Sequence, residues 1–112
     1  MKASALTTHV LDTAAGAPAA GVRVELFRHE AAGTVKVTEA LTNADGRTDA
    51  PLLAAWEFEA GTYELRFHVG AHFGGAGFLG VVPILVRLEA GQGHYHVPLL
   101  CSPWSYATYR GS

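Results

Sequence analysis

The chain has 112 residues, 49% of them hydrophobic and only 16% charged, with a formal net charge of −2. That balance excludes a disordered chain, and the scattered basic residues exclude a nucleic-acid or anionic-membrane footprint. No apolar run approaches the roughly 20 residues of a membrane span, and Cys101, the sole cysteine, admits no intrachain disulfide. Residues 1–112 have the length of a single domain. The charged fraction lies below the roughly 25% of an ordinary soluble domain, which with eleven aromatics suggests that part of the exterior is covered in an oligomer. The start, Met1-Lys2-Ala3-Ser4-Ala5, carries a lysine with no apolar region behind it. A secretory signal is therefore not expected, and a cytoplasmic location is.

In chain order the pattern is one of short strands separated by turn signals, an all-β arrangement. Thr7 to Asp12 is the first predicted strand, closed by Ala15-Gly16-Ala17-Pro18. Val22, Val24 and Leu26 alternate with Arg23, Glu25 and an out-of-pattern Phe27 in the second. Thr34 to Leu41 is the third, Asn43-Ala44-Asp45-Gly46 a turn, and Arg47 to Leu53 a short fourth. The fifth alternates most cleanly, with Tyr63, Leu65, Phe67 and Val69 facing inward and Glu64, Arg66 and His68 outward. Val81 to Leu88, His94 to Leu100 and Trp104 to Tyr109 complete the set. Pro83 and Pro98 mark edge positions, strand starts or bulges. One helix is expected within Ala71 to Leu79, kept short or irregular by Gly74, Gly75 and Gly77.

Two motifs invite a chemical reading and lose it. Gly75-Ala76-Gly77-Phe78-Leu79-Gly80 spells G-x-G-x-x-G, but it runs into a strand, no βαβ unit follows, and no acidic residue stands about 20 residues on. His94-x-His96 sets two imidazoles on one strand face, as a metal site would. Zinc normally needs a third protein ligand and often a fourth. His9 is the one candidate, with no carboxylate or cysteine at a recognisable spacing. His9 by itself reads as a structural strand histidine, Arg47 as a hairpin cation, and Cys101 as a buried thiol.

Four segments change those readings: Leu6-Thr7-Thr8-His9-Val10-Leu11-Asp12-Thr13, Gly46-Arg47-Thr48, His94-Tyr95-His96-Val97-Pro98-Leu99-Leu100, and the ending Tyr109-Arg110-Gly111-Ser112. In this order they resemble the 5-hydroxyisourate hydrolases, the transthyretin-related proteins, whose hallmark is the Tyr-Arg-Gly-Ser ending that transthyretin lacks. The resemblance implies a transthyretin-like β-sandwich of two four-stranded sheets with one short helix. It further implies a homotetramer, a dimer of dimers, with active sites in the cleft between dimers. Carried onto this sequence, the catalytic residues are His9, Arg47 and His96. Tyr109, Arg110, Gly111 and Ser112 form a substrate-binding wall, with the Ser112 hydroxyl or terminal carboxylate orienting substrate or water. The implied substrate is 5-hydroxyisourate, and no cofactor or metal is required. His29, His68 and His72 lie outside every matched segment and read as surface residues. The competing possibility is a binding module that carries a small aromatic ligand without turning it over.

Overall fold

Two four-stranded sheets face each other across one apolar core in the computed structural model, which describes residues 4–112. The Met1-Lys2-Ala3 start, on which the signal-peptide argument rests, lies outside them. The strands are β1 (Leu6–Asp12), β2 (Ala17–Pro18), β3 (Arg23–Glu30), β4 (Gly33–Leu41), β5 (Gly61–His68), β6 (Val81–Leu88), β7 (Tyr95–Cys101) and β8 (Tyr106–Thr108). One sheet runs β2-β1-β7-β8 and the other β4-β3-β5-β6. A single helical turn, α1 (Val69–His72), follows β5, and a 3-10 turn occupies Ala55–Glu57. No helix among the described residues is long and apolar enough to cross a membrane.

Period-two alternation builds the core. Leu6 and Val10 from β1, Val24 and Leu26 from β3, Tyr63, Leu65 and Phe67 from β5, and Leu99 from β7 are fully buried. Thr7 and His9 fall on the opposite face of β1 and leave the core together. Phe27, the exception in β3, is covered on the outer face by the Arg66 guanidinium, 3.9 Å from its ring centre. A β-bulge between Leu26 and Phe27 disturbs the register there.

Several expectations are corrected. Arg47 to Leu53 is not a strand: it touches β1 only through isolated bridges, His9↔Arg47 and Leu6↔Leu53. Pro51 has no N–H for a ladder, and the Thr48 hydroxyl donates to the Ala50 carbonyl at 2.6 Å, bending the chain locally. Regular pairing on that side of β1 is confined to Leu11 and Asp12, which pair with the two-residue β2 in a segment that reads as a plain turn. The helix is shorter and earlier than expected, because Gly74 and Gly75 at φ of 69° and 79° take a conformation that right-handed helix cannot continue through.

The two prolines part company. Pro83 lies on β6, an edge strand, as its missing donor requires. Pro98 lies on β7, an interior strand, at the point where regular pairing with β8 stops after Leu99↔Thr108. Its carbonyl accepts from the Thr108 hydroxyl at 2.7 Å. Beyond this gap a single bridge, His96↔Gly111, resumes the same register and ties the tail back to β7.

The three histidines outside the matched segments are each paired rather than simply exposed. His68 Nε2 lies 2.6 Å from Glu25, His29 Nε2 3.0 Å from Glu64, and His72 Nε2 3.0 Å from Asp12. The last pair ties α1 to the far end of β1. Burial pushes the Asp12 carboxyl up, but the His72 hydrogen bond and the Ala15 N–H outweigh it and hold it below the ordinary value. Cys101 is buried, as its apolar run predicts, and burial pushes its thiol up to about 11. A thiol held there stays protonated at neutral pH and is a poor nucleophile.

Candidate active site

The outer face of the β2-β1-β7-β8 sheet carries a cleft of about 500 Å³, within the range of small-molecule sites. His9, Arg47, His96, Tyr109, Gly111 and Ser112, six of the seven residues singled out from the sequence, line it. Thr7, Thr8, Thr48 and His94 line it as well.

Strand geometry explains the convergence. β1 and β7 run parallel, with Thr7 paired to His96 and His9 to Pro98. Alternation puts Thr7 and His9 on the cleft side of β1, and His94 and His96 on the cleft side along β7. Arg47 is delivered by the turn before it. The Asn43 side-chain oxygen accepts from the N–H groups of Asp45 and Arg47, and Gly46 has a φ of 75°. Position 46 has a second constraint: a Cβ there would meet the Val10 carbonyl oxygen at 2.4 Å and His9 Cδ2 at 3.2 Å. Glycine is thus required both for the turn and for room beside the His9 ring.

The tail closes the cleft from the other side. The Gly111 N–H donates to the His96 carbonyl at 2.8 Å, which brings Ser112 to the rim. Arg110 does not join them. Its guanidinium lies 4.2 Å over the Tyr95 ring and donates to the Gln92 carbonyl at 3.4 Å, away from the cleft. Arg110, between Tyr109 and Gly111, points to the other side of the tail, as alternation along an extended chain requires. Arg110 thus ties the tail to Tyr95 and does not line the cleft.

Electrostatically the site is basic. His9, His94, His96 and Arg47 surround it, and no Asp or Glu side chain lines it. Burial, then the charge of Arg47 and the neighbouring His94 and His9, hold the His96 imidazole below its ordinary value of 6.5. A neutral ring at neutral pH is the form a general base needs. Among the described residues no group of three or more His, Cys, Asp or Glu is arranged to hold a metal ion. The arrangement suits attack by water on a polarised carbonyl, with imidazoles to move protons and a guanidinium to meet a developing oxyanion.

The threonines of the cleft carry little signal in the sequence. Thr7 has one signal, its position two residues before His9 on a strand, which puts both on one face. Its contact with His94 and His96, nearly ninety residues away, depends on which strands become neighbours.

A model of the HIUase/Transthyretin family matches residues 6–111. The chain is 56% identical to a 5-hydroxyisourate hydrolase of Deinococcus radiodurans, with 96% of this chain and 95% of that protein covered. Among solved structures it resembles a 5-hydroxyisourate hydrolase of Klebsiella pneumoniae, at 35% identity and a TM-score of 0.84, covering 100% and 96% of the two chains. It also resembles a transthyretin from Sparus aurata, at 29% identity and a TM-score of 0.87, covering 95% of each.

Proposed function

This chain belongs to the HIUase/Transthyretin family, and we propose that it is a 5-hydroxyisourate hydrolase in which His9, Arg47 and His96 carry the chemistry. The observation behind this reading is the meeting of those three side chains, from distant parts of the chain, on one cleft walled by the Tyr109-to-Ser112 tail.

The reaction is hydrolytic opening of the six-membered ring. Water adds to the ring amide carbonyl as a histidine removes its proton, and the carbonyl oxygen becomes a tetrahedral oxyanion. The ring C–N bond then breaks, the nitrogen takes a proton from a histidine, and the product is 2-oxo-4-hydroxy-4-carboxy-5-ureidoimidazoline. His96, kept neutral, suits the first proton transfer. Arg47 presents a permanent cation to the oxyanion and to the polar edge of the substrate. Tyr109, Gly111 and Ser112 bound the substrate, with the Ser112 hydroxyl able to hydrogen-bond it or the water. These groups need no cofactor.

The working form in this reading is a homotetramer, a dimer of dimers, with two clefts facing each other. The cleft is open on one side, and the edge strands β6 and β8 display Val81, Leu85 and Tyr106 to solvent, so both surfaces have something to gain from a partner. We place the reaction in the cytoplasm, in urate degradation, a reducing setting that suits a protein whose one cysteine is a free thiol.

A transthyretin-like carrier would share the sandwich and need none of the site. The basic residues His9, Arg47 and His96 and the terminal motif favour the enzyme. To separate the two, 5-hydroxyisourate is generated with urate oxidase and its ultraviolet decay followed with and without the protein. Decay faster than the spontaneous reaction is expected, and decay at the spontaneous rate would leave the carrier as the better reading.

A further inference from the structure

Thr7 Oγ1 lies 2.7 Å from His94 Nε2 and 2.8 Å from His96 Nδ1, so a single hydroxyl joins two imidazoles. The hydroxyl has one proton to donate and lone pairs with which to accept. A hydroxyl that accepted from both rings would leave neither ring to take its own proton, and so no path between them. Where Thr7 donates to one ring and accepts from the other, two arrangements are open. In the first, His96 carries its proton on Nδ1 and donates to Thr7, Thr7 donates to His94 Nε2, and His96 Nε2 holds a free lone pair. In the second, His94 Nε2–H donates to Thr7, Thr7 donates to His96 Nδ1, and His96 Nε2 already bears its proton. Of these two, only the first leaves a base at His96 Nε2.

We propose that Thr7 is a positioning residue for the hydrolysis: it holds His96 in the Nδ1–H tautomer and links it to His94 as the outer end of a proton relay. This rests on the hydrolase reading above. As water attacks, its proton goes to His96 Nε2, the Nδ1 proton of His96 to Thr7 Oγ1, and the Thr7 proton to His94 Nε2. Water has lost one proton and delivered hydroxide to the carbonyl carbon. His96 and Thr7 end neutral, and His94, already protonated on Nδ1, ends as the imidazolium. Reversal returns the proton to the ring nitrogen that leaves.

The surroundings of the two rings favour this division. His96 is half-buried, whereas His94 is exposed, and a positive charge costs less on the better-hydrated ring. The charged and titratable groups set around His96 are His9 from β1, Arg47 from the turn segment and His94 just before β7, with Ser112 of the tail lining the same cleft. Burial and those neighbours disfavour charge on His96 itself. Geometry keeps the link in register, because Thr7 and His96 are direct partners in the β1–β7 pairing.

The test compares Thr7→Val, which keeps the branched shape without the hydroxyl, with Thr7→Ser, which keeps the hydroxyl. It adds His94→Leu and the double variant Thr7→Val with His94→Leu. Histidine-labelled NMR of the substrate-free proteins reads the tautomers, and the decay assay gives kcat, KM and the pH profile. Thr7→Val is expected to lower kcat by about ten- to a hundredfold with KM little changed, and to displace the acid limb of the profile. It should also remove the Nδ1–H signature of His96. Thr7→Ser should restore both, and the double variant should be no worse than either single one, since each cuts the same relay. Wild-type kcat and pH profile in Thr7→Val, failure of serine to rescue, or losses that multiply in the double variant would each overturn the relay. Should Thr7→Val not fold, wild-type kcat in His94→Leu overturns it equally. If the wild-type protein does not hydrolyse 5-hydroxyisourate, the hydrolase reading fails on its own. The tautomer measurement then still decides the linkage, because an Nε2–H resting form of His96 contradicts it.

Discussion

Gly111 lies against the His96 ring: its N–H donates to the His96 carbonyl at 2.8 Å, and a Cβ at position 111 would stand 2.6 Å from His96 Cδ2. No bonded side chain fits there, so the ring moves if glycine is replaced. Gly111→Ala should therefore displace the imidazole and lower kcat/KM by about a hundredfold, the cost of a misplacement near 1 Å. Because the site is at the edge of the fold, the melting temperature should change little. Steady-state kinetics beside calorimetry checks both, and unaltered kinetics would show that the ring does not need that space.

His9→Ala and His96→Ala should each lower turnover by about 10²–10⁴, the usual loss of a positioned acid or base. His68→Ala serves as the control. It is on the outer face of the other sheet, paired with Glu25, and its loss should leave kcat/KM unchanged. Near-normal decay rates in both site variants would remove the assigned chemistry.

The pH profile follows from the environment of His96. Its imidazole titrates below 6.5, from burial first and then from Arg47, His94 and His9. Protonation removes the base, so kcat/KM should be at its plateau above pH 6.5 and fall only at lower pH. Stability has the same sign. A folded value held below the unfolded one means that the unfolded chain binds the proton more readily. The contribution of His96 to stability is whole above the unfolded value and is lost as pH falls through the folded one. Arg47→Met, by removing the cation, should move the acid limb of kcat/KM towards higher pH. An inflection at or above neutral pH in the wild type would contradict the assignment.

Deleting Tyr109 to Ser112 should harm chemistry more than folding. β8 keeps its pairing to β7 through Leu99↔Thr108, Leu100↔Ala107 and Cys101↔Tyr106, whereas the deleted residues supply a wall of the cleft. A bulky tag after Ser112 should act likewise and more strongly than one at Met1. Light scattering, melting temperature and the decay assay on the three forms separate the effects. Full activity in a truncated, still assembled protein would place the tail outside the working site.

Dialysis against a strong chelator should leave both activity and melting temperature unchanged, because among the described residues no Asp, Glu or Cys side chain joins the cleft histidines to complete a ligand set. Activity lost on chelation and restored by zinc would reverse this and make His94 and His96 ligands.

Alternation along single strands was legible before any fold was in hand. It put Tyr63, Leu65 and Phe67 in the core and His94 beside His96 on one face, because the two-residue period is a property of the local backbone. Roles for His9, Arg47 and His96 came through resemblance, since as isolated residues they read more simply as a strand histidine, a hairpin cation and one of a histidine pair.

Neighbourhood was not legible in the same way. That β1 pairs in parallel with β7, that its other side meets a two-residue β2 and only isolated bridges from Arg47 and Leu53, and that Arg110 turns onto Tyr95 are outcomes of tertiary competition. So is the meeting of Thr7 with His94 and His96. By itself the sequence determined seven of the eight strands, their buried faces and the residue types the chemistry would use. The tertiary structure alone decided which of those residues touch, because pairing energies are collected between segments far apart in the chain and no local pattern encodes the partner.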